Sequence, residues 1–99
     1  MRFIDTYRSQ IEEACRKHQV KTMYVFGSAS TETMNENSDV DLLVKFKSFD
    51  LANYFENYMS LKTTLKKLLS REVDLLEEQT LQNPFLIRSI ERSKELIYG

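Results

Sequence analysis

The 99 residues carry 14 Lys and Arg against 15 Asp and Glu, a formal net charge of −1, with 41% hydrophobic and 29% charged residues and one cysteine. Such a chain is long enough for one domain with an adequate core, and its charge gives no general attraction to nucleic acid or an anionic membrane. A lone cysteine excludes an internal disulfide, no apolar run approaches the ~18 residues of a membrane span, and the N-terminus lacks a signal-peptide core, so a cytoplasmic protein is expected.

Between Asp5 and His18, Tyr7, Ile11, Ala14, Cys15 and His18 recur at helical spacing, with Arg8, Glu12, Glu13, Arg16 and Lys17 opposite. This pattern predicts an amphipathic first helix. Cys15 and His18 lie on or beside its apolar stripe, and no second Cys or His completes a metal site, so both read as structural. Thr22 to Phe26 is a short β-rich run that ends at Gly27, a first strand. Ser28 to Ser38 is polar, and is read as a helical turn followed by an exposed loop.

The second strand, Asp39 to Phe46, opens with two carboxylates one residue apart. Side chains on a strand alternate faces, so Asp39 and Asp41 point the same way. Two like charges side by side in an apolar strand cost stability unless a cation sits between them, and a hard divalent ion, Mg²⁺ or Mn²⁺, suits an all-oxygen pair. Gly27-Ser28 at the preceding turn supplies backbone N–H groups and a hydroxyl for a phosphate.

From Ser48 or Asp50 as cap, Leu51, Tyr54, Phe55, Tyr58, Leu61, Leu65, Leu68 and Leu69 mark a long helix. Glu72 to Leu76 reads as a third strand. Asn83-Pro84 then starts a last helix that reaches about Lys94, and Glu95 to Gly99 either continues it or peels away. The expected order is α-β-α-β-α-β-α, an α/β (or α+β) chain with a mixed three-stranded sheet flanked by helices, a single domain over residues 1–99.

A link of twelve residues need not cross the sheet, so strands one and two are expected to be antiparallel neighbours. The long helix is the crossover that a parallel pair of strands two and three requires. Asp74 then stands level with Asp39 and Asp41, although 33 residues separate it from Asp41. Three carboxylates and a Gly-Ser turn at one sheet edge suit in-line displacement at phosphorus, with two metals about 3.5–4 Å apart. In that reading Asp39 and Asp41 bind metal, Asp74 binds one metal and accepts the proton of the attacking hydroxyl, and Gly27 and Ser28 hold the triphosphate.

Phe26-Gly27-Ser28, Ser38-Asp39-Val40-Asp41-Leu42-Leu43-Val44, Val73-Asp74-Leu75 and Asn83-Pro84-Phe85 together resemble the minimal nucleotidyltransferases of the DNA polymerase beta superfamily. The resemblance implies a palm-like nucleotidyltransferase fold, Mg²⁺ and ATP as ligands, and a protein partner. Many such proteins are antitoxins paired with a HEPN-type ribonuclease toxin, and some transfer AMP to a tyrosine of that toxin. Members often carry a basic residue soon after the Gly-Ser, whereas this chain has no Lys or Arg between Ser28 and Lys45. A binding module that neutralises its partner by occlusion is therefore the second reading; transfer to a small molecule such as an aminoglycoside ranks below both. The small size directs the acceptor role to a protein, with Tyr54, Phe55, Tyr58 and the tail Leu96-Ile97-Tyr98 as candidate contacts.

Overall fold

The computed structural model of the protein describes residues 3–27, 39–47 and 51–99. The helical turn expected after Gly27, Ser28 itself and the Ser48 and Asp50 caps lie outside them. The elements in order are α1 (Phe3–Thr6), α2 (Arg8–Lys17), β1 (Val20–Phe26), β2 (Val40–Phe46), α3 (Tyr54–Leu69, led in by a 3-10 turn), β3 (Val73–Glu77), α4 (Pro84–Ser93) and β4 (Glu95–Tyr98). Among the described residues no helix is long and apolar enough to cross a membrane.

The strands form one mixed sheet in the order β3-β2-β1-β4. β1 and β2 are antiparallel, with Phe26 opposite Asp41, and β2 and β3 are parallel, with Asp41 opposite Asp74. Both pairings follow from the connections: α3 supplies the crossover that a parallel pair needs. The expected three-stranded sheet is corrected to four strands. Glu95–Tyr98 leaves α4 and pairs antiparallel with β1, Met23 opposite Tyr98. The reason is burial: Ile97 enters the main core at 2% exposure, a place that a continued α4 could not give it.

One sheet face carries that main core. Val40, Leu42, Val44 and Phe46 of β2, Val73 and Leu75 of β3 and Met23 and Val25 of β1 pack there against Ile11, Ala14 and Cys15 of α2 and Leu61, Leu65 and Leu69 of α3. The spacing of four along α3 keeps these leucines on one stripe, and Ser70 ends the helix in the left-handed conformation at φ 54°. The expected single first helix is broken at Tyr7, whose backbone (φ −106°, ψ 10°) leaves the helical region, so a short turn holding buried Ile4 precedes α2.

The opposite face is thinner. Phe26, Leu43 and Ile90 are its buried residues, with Tyr24, Leu76 and Leu81 against them. α4 covers this face through Ile90 and starts as its sequence dictates, with Pro84 in the first turn and Asn83 Oδ1 accepting from the N–H groups of Phe85 (2.9 Å) and Leu86 (3.3 Å).

The β4 assignment separates two adjacent residues. Ile97→Ala, in the core, is expected to cost about 2–5 kcal/mol in denaturant unfolding, whereas Leu96→Ala, on the outward face, stays within about 0.5 kcal/mol. Equal costs would contradict the strand.

Candidate functional site

Odd-numbered residues of β2 point away from the main core, so Asp39, just before the strand, Asp41 and Leu43 share the face that α4 partly covers. Asp74 of β3 stands opposite Asp41 in the parallel register. The three aspartates that the sequence singles out therefore meet, two of them exposed and Asp41 half-buried. The Asp41 carboxyl is pushed above the usual carboxylate range, first by burial, then by the charges of Asp74 and Asp39. Among the described residues no Lys or Arg pairs with any of the three. Lys45 is held by Glu78 at 3.9 Å and Lys94 by Glu91 at 2.8 Å.

Gly27 closes the site from β1, and its conformation explains the residue. Its φ is +68°, and a β-carbon built there would lie 2.5 Å from Asp41 Oδ2. The missing side chain is thus the space into which the Asp41 carboxylate projects. The open space expected to admit phosphates is filled first by a carboxylate. The Gly27 N–H donates to Ser93 Oγ at 3.4 Å, which ties the turn to the last residue of α4. Ser28 lies outside the described residues.

Two further residues stand beside the site without a local signal in the sequence. Ser93 is one: nothing local marks a serine at a helix end as the partner of a turn 66 residues away. Tyr58 is the other. Its hydroxyl donates to the Leu75 carbonyl, and burial and then the charge of Asp74 push it above the ordinary tyrosine range. An aromatic on the apolar stripe of a helix gives no sign of that proximity. Of the aromatics expected as contacts on α3, Phe55 is 70% exposed while Tyr54 and Tyr58 pack on the core. Cys15 is buried, its thiol pushed up to about 12 by burial, and His18 bonds through Nδ1 to the Ala14 carbonyl (2.7 Å) and through Nε2 to Ser60 Oγ (3.0 Å). Both are structural.

The donor set fits a hard divalent ion. It is all carboxylate oxygen, its charges repel one another, and its most buried member is raised by burial and then by that repulsion. Among the described residues no three His, Cys, Asp or Glu side chains close a metal site alone.

Comparison with known proteins agrees with this geometry. The sequence matches the nucleotidyltransferase domain family over residues 8–97. A candidate protein adenylyltransferase of Methanocaldococcus jannaschii, MJ1379, is 37% identical over 100 aligned residues, which cover 91% of this chain and 95% of that protein. The structure of a candidate minimal nucleotidyltransferase superposes with a TM-score of 0.78 at 29% identity, covering 96% of this chain and 95% of the other. An MNT antitoxin in complex with a tri-AMPylated HEPN toxin of Shewanella oneidensis shares the fold, with a TM-score of 0.67 at 19% identity over 96% of this chain and 71% of that one. With a paired-aspartate strand, a third aspartate in register and a family match across nearly its whole length, this chain belongs to the nucleotidyltransferase domain family, as one of its minimal members.

Proposed function

We propose that this protein, acting as one domain over residues 1–99, transfers AMP from ATP in a Mg²⁺-dependent reaction to a hydroxyl of a partner protein, a tyrosine of a HEPN-type toxin for which it is the antitoxin. The observation that carries the reading is the register that sets Asp41 beside Asp74, with Asp39 one residue before β2. The likeness to a named adenylyltransferase and to an antitoxin whose toxin is AMPylated supports the reaction and the partner class.

Asp39, Asp41 and Asp74 would hold the metal, and Gly27 and Ser28 the triphosphate. A bound Mg²⁺ supplies the positive charge that neutralises the triphosphate and the departing pyrophosphate. Asp74, exposed on the edge strand, would take the proton of the attacking hydroxyl. The hydroxyl oxygen bonds to the α-phosphorus, the bond from that phosphorus to the bridging oxygen breaks, and pyrophosphate leaves. The protein contributes position and charge, with no covalent intermediate of its own.

The first test incubates the protein with ATP, Mg²⁺ and its genetic neighbour, read by intact mass. Gain of one AMP on the neighbour is expected, and Asp41→Asn should lower the rate by at least about a hundredfold. Full activity in that variant, or a toxin neutralised equally well by an Asp39→Asn/Asp41→Asn double variant, would replace this reading with occlusion.

Asp41→Asn is also expected to raise the melting temperature at pH 7. A carboxyl whose folded pKa lies above its unfolded value contributes stability at low pH and loses it as pH rises through the folded pKa. The gain of the variant should therefore shrink as pH falls through the carboxylate range. Gly27→Ala should cost about 1–2 kcal/mol from its positive φ alone and weaken nucleotide binding through the displaced Asp41, with both effects measured on one sample by thermal unfolding with and without Mg²⁺-ATP.

A further inference from the structure

Between α4 and the carboxylate face of the sheet lies a cavity of about 90 Å³, lined by Leu43, Glu78, Leu81, Ile87, Ile90 and Glu91. Leu43 follows Asp41 by two residues on the same face of β2, a step of about 7 Å. On the helix side, Ile90 stands one turn before Ser93, whose hydroxyl meets the Gly27 amide. Cavity and carboxylates thus lie on the same face of the sheet, with α4 beside both. The volume is far above the ~10–15 Å³ that one water needs and well below the roughly 300–1,000 Å³ of pockets that engulf a whole drug-sized ligand. It suits one end of a ligand whose other end lies elsewhere.

The lining states which end. Leu43, Leu81, Ile87 and Ile90 give branched aliphatic walls of the kind that sandwich a flat ring. Each glutamate has an ammonium beside it, Lys45 at Glu78 and Lys94 at Glu91. At the cavity wall the Glu78 carboxylate is a hydrogen-bond acceptor, the complement of the 6-amino group of adenine.

We propose that this cavity is the subsite for the adenine base, with α4 as its wall and Glu78 accepting from the 6-amino group. The proposal rests on the nucleotidyltransferase reading and deepens it. It gives α4, which contributes none of the three aspartates, a direct part in choosing the nucleotide. A base seated at Leu43 leaves the span of a ribose between it and Asp41.

Titration calorimetry on the full chain with Mg²⁺ separates the ends of the ligand by using ATP, ITP (a 6-oxo group in place of the amine) and inorganic tripolyphosphate, which has no base. The wild type should bind ATP more tightly than ITP or tripolyphosphate. Ile87→Trp, at a partly exposed helix position, fills the cavity and should weaken ATP about tenfold or more while leaving tripolyphosphate unchanged. Retained tripolyphosphate binding shows that the variant is folded. Glu78→Gln, which alters no packing, should flatten or reverse the preference for ATP over ITP. If the wild type binds ATP and both variants bind it with unchanged affinity and preference, the base lies elsewhere and the nucleotidyltransferase reading stands. A wild type that binds neither ATP nor tripolyphosphate overturns that reading and this subsite together.

Discussion

Like charges held in register dominate this molecule. A parallel ladder between β2 and β3 places Asp41 and Asp74 side by side, and Asp39 joins them one residue before the strand. Each aspartate lies on the face away from the main core, so the sheet pairs them without burying them together. The fold thus tolerates a repulsion that would be prohibitive in the interior. The long α3 crossover, the absence of a side chain at Gly27 and the thin packing under α4 all serve the same arrangement.

Much of this was legible in the chain because it rests on local rules. The Asp-x-Asp spacing fixes a shared face whatever the fold. The length of the Leu51–Leu69 segment fixes a parallel crossover, and from that the register of Asp74 follows. The Asn83-Pro84 helix start carries its own chemistry in two residues.

What escaped is non-local. Glu95–Tyr98 has no Gly or Pro before it and is too short for its alternation to speak against a continued helix. Its strand character comes from pairing with β1, 75 residues away at Met23, and from room for Ile97 in a core built by other elements. Ser93 meets Gly27 for the same reason, since the turn into β4 carries the end of α4 across the mouth of the site. Tyr58 lies near Asp74 because the crossover lays α3 over β3. Sequence periodicity reports which face a residue turns to the core, but not which residue of a distant segment it will find there.

The placement of β4 bears on how the molecule breathes. An edge strand of four residues, closed against β1 over a long loop, opens at less than the cost of global unfolding, and its amides should exchange ahead of those of β2. Such an opening withdraws Ile97 from the core yet leaves β1, β2 and β3 paired. Asp41 and Asp74 stand on strands that this opening leaves paired, so excursions of the tail leave their spacing intact.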